Sequence, residues 1–495
     1  MPDILVGPLL GFEAGNFYSV CVLLEAGAAP ILEVTGLEPS IPFTKVADVG
    51  NRHFWRAEFS LTIPTTGKLV KYFVTDRSTP LADQNKRTEW GFFLPGSTEQ
   101  PLIAYASCNG FSSAKQASNT TKQYLLWEKM AAKHAATPFS LLLMGGDQLY
   151  ADELWESRCC PLLRKWGALD EKEQHGATVS ESMSKEIGQF YEWLYADRWT
   201  DPAMSLMFAS IPSVMMWDDH DIFDGWGSYP EERQKCDVYK EIFKHASRLF
   251  DIFQLRCSPR NRLNAAAAHR TLTMQFRDYH LLVLDNRSER TMERIMSDQN
   301  WADTKDWLNS LDRKTVKNLL VMTAVPAVYR SFSTVECIMD TTPWHEEIED
   351  DVRDHWSARS HVVERMRMVM VLLNFLENHQ AENCKAILLS GDVHVGALGQ
   401  IWDAQRKLGI TQLISSGIVH PPPSSFEWAA ILTMTGDKPE PLGDNDVTAE
   451  MLTPTGGPRY LLTRNFATIQ TGTDQKLWIN WICQEEKCRP CFAVS

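Results

Sequence analysis

The chain has 495 residues, room for two to four domains, and its hydrophobic fraction of 44% and charged fraction of 23% are those of a globular protein, not a disordered one. Its 49 basic and 63 acidic residues leave a net charge of −14. That charge repels polyanions and excludes general nucleic-acid binding, but it admits a small phosphorylated substrate wherever bound cations reverse the local sign.

Apolar runs such as Val369–Leu373 fall far short of the ~18 residues of a membrane span. The start, Met1-Pro2-Asp3, lacks the basic and apolar regions of a secretory signal. Eleven cysteines, an odd number, then read as reduced thiols, and the expected location is cytoplasmic.

In chain order, residues 1–97 read as an all-β sandwich domain. Tyr18–Leu24, His53–Pro64 and Lys68–Asp76 are short alternating or apolar runs punctuated by Gly, Pro and Asn. From 98 to 495 the pattern becomes α/β, with a layered core flanked by helices. Leu102–Ser107, Ser140–Met144, Met204–Ala209, Val214–Trp217, Leu319–Val325, Ala386–Ser390 and Gln412–Ser415 are apolar runs. Thr271–Arg277 and Leu281–Asp285 form a strand pair. Gln123–Ala136, Lys185–Trp193, Asp237–Phe250 and Val362–Glu377 are helices. Ile431–Pro458, rich in Thr, Pro, Gly and Asp, reads as a long surface loop.

Four clusters follow apolar runs, at the strand ends where open α/β sheets gather ligands. In Ser107-Cys108-Asn109-Gly110 the thiol is a nucleophile, a ligand or a buried structural cysteine. In Gly145-Gly146-Asp147-Gln148-Leu149-Tyr150-Ala151-Asp152, Asp147 projects from the strand end and Tyr150 follows three residues on, so the two can share one centre. The bland alternative is a helix-capping Asp147. Trp217-Asp218-Asp219-His220-Asp221-Ile222-Phe223-Asp224 packs four carboxylates and a histidine among aromatic residues, an arrangement whose self-repulsion calls for cations. In Ser390-Gly391-Asp392-Val393-His394, an extended Asp-x-His points two ligand types to one side.

Gly-Asp-x-x-Tyr, then Asp-Asp-His-Asp, then Gly-Asp-x-His, in that order, resembles the alkaline phosphatase D (PhoD-like) phosphatases of the metallophosphoesterase superfamily. Leu284-Asp285-Asn286-Arg287-Ser288-Glu289-Arg290 and Gln299 with Trp307-Leu308 add further matches. The resemblance covers about residues 100–400. It implies a layered β-sandwich metallophosphoesterase core behind an N-terminal sandwich, and hydrolysis of phosphoric mono- or diesters by a metal-activated water. It implies Asp147 as a bridge between cations, with Cys108, Tyr150 and His394 completing an iron site. Asp219 and Asp392 replace the usual Asn and His, which favours calcium, manganese or magnesium in a second site. His220 is then not a ligand but sits beside the phosphate and stabilises charge or protonates the leaving oxygen, and Arg287 or Arg290 clamps the phosphate or forms a surface ion pair with Glu289 or Glu293. Asp221 and Asp224 either orient His220 or hold a further calcium. The substrate class is a small phosphorylated molecule, a lipid or a phosphoprotein; oligomeric state is not addressed.

Two rival readings stand beside this one. One is a catalytically silent protein that keeps the fold. The other is a zinc-thiolate module built on Cys483, Cys488 and Cys491, whose bland form is an exposed reduced tail. Glu346–Asp351 reads as a solvated acidic face, and Asp354-His355-Trp356 with Trp344 as lining of the site mouth. Trp155, Trp217 and Trp226 either wall a pocket or pack the core.

Overall fold

The computed structural model describes residues 3–494 except 28, 157, 159, 331–355, 357, 359, 381–382 and 444–445. Ile103–Ala106, Leu141–Gly145 and Ser213–Met216 are buried at every position, so they take central, parallel places in a sheet. Antiparallel strands Asn465–Thr471, Leu477–Cys483 and Cys491–Val494 extend this sheet on one side. On the other side stand Ile4–Glu13, Phe17–Glu25, Arg52–Ser60 and Thr44–Val49, ten strands in all.

The junction between the two halves is Gly11 opposite Ser213. A buried ionic group supports it: Arg56 Nη2 lies 3.2 Å from Glu13, and Arg256 donates to the Ser213 carbonyl at 2.8 Å. The N-terminal all-β region is therefore present, and one of its two faces continues the core sheet. The other face is a separate five-stranded sheet that includes Ile31–Val34, Lys68–Asp76 and Trp90–Leu94.

A second large sheet is built on parallel strands Tyr279–Val283, Asn318–Met322, Lys385–Ser390 and Leu408–Ile414. Leu272–Phe276 forms the expected hairpin with Tyr279–Val283. The two large sheets meet where their central strands end. Ser107 Oγ donates to the Ser415 carbonyl at 2.9 Å, and the Ile418 N–H returns to the Ser107 carbonyl. A Cβ on Gly391 would stand 2.2 Å from Ser107 Oγ, so this approach requires glycine. Helix Asp237–Phe253 buries Val238, Ile242, Leu249 and Phe253 at helical spacing. It packs on Glu181–Arg198 through stacked Tyr195 and Phe253.

The apolar run Met204–Ala209 lies in a helix, Pro202–Ser210, because Asp201 accepts the N–H groups of Ala203 and Met204 and Pro202 occupies the first turn. Two expectations change. Ile431–Pro458 is not one loop. Helix Ser425–Met434 runs into it, and Val447–Leu452 pairs with Gly396–Asp403, its residues alternately buried. The tail is not loose either: Cys491–Val494 is an edge strand. Among the described residues, no helix is long and apolar enough to cross a membrane.

Candidate active site

The loops after these strands hold three of the four motifs in strained backbone. Cys108, Asp147, Asp392 and His394 all have φ between 50° and 66°, and Gly146 has φ 103°. Side chains rarely adopt this region, and four such positions in one place mark a site whose geometry is imposed by the fold.

Around Asp147 the fold assembles Cys108 and Tyr150. Asp147 Oδ2 lies 3.4 Å from Cys108 Sγ and 3.5 Å from the Tyr150 hydroxyl. Its other oxygen, Oδ1, is buried without a hydrogen-bond partner. Ser416 Oγ sits 3.0 Å from Cys108 Sγ and accepts the His394 N–H at 2.9 Å, joining the first and fourth motifs. His394 Nδ1 is also buried without a partner. His420 stacks on His394 at 3.6 Å and on Tyr150 at 5.4 Å. It is fixed by the Pro421 carbonyl at 2.8 Å and Ser112 at 3.1 Å.

Opposite lies the third motif. Atoms of Asp147, Asp219 and His220 lie within 4.8 Å of one another, as do atoms of Asp218, Asp219 and Asp392. Asp219 accepts the Gly225 N–H at 2.8 Å. Arg287, 0% exposed, pairs with Asp218, reaches Asp219 at 3.4 Å and donates to the Trp226 carbonyl at 3.1 Å. Its guanidinium thus lies against the carboxylates of the third motif. Arg290 is buried against Gly227, where a Cβ would lie 2.7 Å from its side chain.

His220 Nδ1 is 2.7 Å from Asp152, and Nε2 is 3.8 Å from Asp224. Asp152 therefore orients the ring. Asp221 does not: it accepts the N–H groups of Asp218, Gln148 and Leu149 and the Gln254 amide, and so ties two site loops together. Burial raises the Asp221 pKa to about 7.

Electrostatics favour cations here. Burial, then the neighbouring Cys108 and Asp218, hold the Asp147 carboxyl far above its usual range. Burial pushes the Cys108 thiol up to about 11 and the Tyr150 phenol well above 10. Burial, helped by His420 and His220, holds the His394 imidazole far below its usual value. Burial also opposes the charge on His220, but Asp152, Asp219 and Asp147 overcome it and raise its pKa. Acids that resist ionisation around a base that resists protonation gain from a bound cation, which restores the carboxylate and uses the free imidazole lone pair. Two orphaned ligand atoms, Asp147 Oδ1 and His394 Nδ1, fit the same requirement.

The sequence assigned no role to Asp152, Asp218, Ser416 or His420. Asp152 and Asp218 lay inside quoted motifs, and that adjacency was the available signal. Trp217 and Trp226 are core residues, with Trp217 stacked on Phe250 at 4.4 Å, whereas Trp155 lines a cavity. The tail cysteines join none of the metal-ligating groupings among the described residues. Glu346–Asp351, Trp344, Asp354 and His355 lie outside the described residues. Trp356 is buried and donates to Thr323 at 3.2 Å.

Residues 82–346, more than half of the chain, match the family described as PhoD related phosphatase. The uncharacterized protein YGR266W of Saccharomyces cerevisiae (strain ATCC 204508 / S288c) is 25% identical over 411 residues, 71% of this chain. The chain spans 56% of that relative's length. The solved structure of PhoD superposes with a TM-score of 0.60 at 14% identity, over 100% of this chain and 92% of that one. Purple acid phosphatase PPD1 from yellow lupin (Lupinus luteus) seeds gives 0.54 at 11% identity, over 99% and 74%. At these identities the likeness to the solved structures is one of fold.

Proposed function

The chain belongs to the PhoD related phosphatase family, and from that premise we propose that it hydrolyses phosphoric esters at a centre of two or more cations. The observation that carries this reading is Asp147, wholly buried, with one oxygen on Cys108 and Tyr150 and the other unpartnered, within reach of Asp219 and His220. Cys108, Tyr150, Asp147 and His394 would hold iron, since thiolate and phenolate suit a strongly acidic cation. Asp147, Asp219 and Asp392, with Asp218 beside them, would hold calcium, manganese or magnesium through hard oxygen. When bound, such cations neutralise the ester's charge and lower the pKa of water.

The remaining work belongs to the chain. Asp152 holds His220 by Nδ1 and keeps it cationic, so Nε2 is the nitrogen left to give a proton to the leaving oxygen. Arg287 fixes Asp218 and Asp219 and offsets their repulsion. Asp221 holds the loops after Leu141–Gly145 and Ser213–Met216 in register. The substrate is a small phosphorylated molecule. The odd number of cysteines, eleven, supports a reducing, cytoplasmic setting.

The test is direct. Chelated protein should lose hydrolysis of p-nitrophenyl phosphate and bis(p-nitrophenyl) phosphate, and iron with calcium or manganese should restore it. Full activity in metal-free protein would overturn the proposal. Bound metal with no hydrolysis of any ester would favour a silent member of the family.

A further inference from the structure

Beside His220 lies a cavity of about 240 Å³. Its lining includes Asp152, Glu153, Trp155, Glu156, Asp224 and Tyr229. Asp152 and Asp224 are also the carboxylates beside the two ring nitrogens of His220, at 2.7 and 3.8 Å. An alcohol that takes its proton from His220 therefore leaves against this cavity.

The lining chooses among alcohols by charge. Glu153 is neutralised by Arg198 at 2.6 Å and Asp224 faces His220 at 3.8 Å, whereas Glu156 is exposed and adds its negative charge to the lining. A phosphorylated or carboxylated alcohol meets repulsion there. A plain alkyl alcohol gains nothing from the carboxylates and must desolvate them. An ammonium group gains from the carboxylates and from the aromatic faces of Trp155 and Tyr229. Tyr229 already attracts a cation on one side, where the Arg233 guanidinium sits 5.1 Å from the ring centre.

We infer that this cavity is the subsite for the alcohol half of the substrate and selects phosphoric esters of amino or quaternary-ammonium alcohols. The inference rests on the phosphoesterase reading above. In the reaction the phosphorus–oxygen bond to the ammonium alcohol breaks and a water oxygen takes its place on phosphorus. The alcohol oxygen receives a proton from His220, which a proton from the water later replaces.

Matched esters test it on the metal-loaded protein. Phosphocholine is compared with 3,3-dimethylbutyl phosphate, its uncharged isostere, and glycerophosphocholine with the corresponding dimethylbutyl diester. The nitrophenyl esters report the reaction itself. The ammonium ester should have a kcat/KM about tenfold higher than its isostere. That advantage should shrink as salt is raised toward ~1 M. The double variant Trp155→Leu, Glu156→Gln should lose it, the ammonium ester and its isostere then having equal kcat/KM. Phosphatidylcholine vesicles, assayed for released choline, tell a lipid source from a soluble one, and either upholds the subsite. Hydrolysis of nitrophenyl esters with no advantage for the ammonium partner overturns the subsite alone. No hydrolysis of any ester overturns the phosphoesterase reading and the subsite with it.

Discussion

On one flank of the active site, Cys108 and Tyr150 meet Asp147, His394 is joined to Cys108 through Ser416, and two buried atoms, Asp147 Oδ1 and His394 Nδ1, have no hydrogen-bond partner. On the other, Asp218 and Asp219 rest on the guanidinium of Arg287, and Asp219 takes the Gly225 N–H as well. Both flanks bury charge, and they offset its cost differently. The first is incomplete until a cation arrives. The second is half-neutralised beforehand, so a cation there gains less. The expected outcome is a tightly held metal beside Cys108 and a readily exchanged one beside Asp219.

The largest effect should come from the residue the flanks share. Asp147→Ala removes ligand oxygens from both, and should lose metal at both and fall to background turnover, read by elemental analysis beside ester hydrolysis. Retention of iron at wild-type stoichiometry would break the idea of a shared carboxylate. Next, His220→Ala should keep its metals and lose about 10²–10⁴-fold in turnover, with the smallest loss for good leaving groups. Metal loss as complete as in Asp147→Ala would place His220 among the ligands instead.

The second flank is tested by Arg287→Gln, which leaves Asp218 and Asp219 buried without their cation. Metal-free protein should lose about 3–5 kcal/mol of stability in a denaturant titration. Calcium or manganese should recover a large part of that loss, because it replaces the missing charge. If added cation recovers nothing, the arginine and the metal do not share one charge balance. The smallest effect belongs to Asp224→Asn. This carboxylate is half-exposed and 3.8 Å from His220, so turnover of nitrophenyl phosphate should change by no more than about fivefold.

Local features of the sequence carried much of this. Fully apolar runs announced the central strands, and the acids and thiol placed directly after them announced the site. What escaped were partners supplied by distant segments. Asp152 became meaningful only when the His220 loop folded over it, 68 residues on. His420 and Ser416 follow the strand Leu408–Ile414 in a segment with no acidic motif, and reach the site because that strand lies next to Lys385–Ser390. Arg287 was visible, but its pairing with Asp218 and Asp219, 69 and 68 residues earlier, was not. Val447–Leu452 was hidden among Thr, Pro and Gly, although its alternation of Val447, Ala449 and Met451 matches a half-buried strand.

The order of strands in the core sheet also sets a schedule for synthesis. Ile103–Ala106 emerges early, yet its neighbour on one side, Asn465–Thr471, is made about 360 residues later, on the order of 20–70 s at ribosomal speeds. Through that interval one edge of an otherwise apolar strand stands open, the kind of edge that recruits wrong partners. Chains stalled or truncated before residue 465 should therefore depend on chaperones and aggregate without them, even with every metal ligand already made.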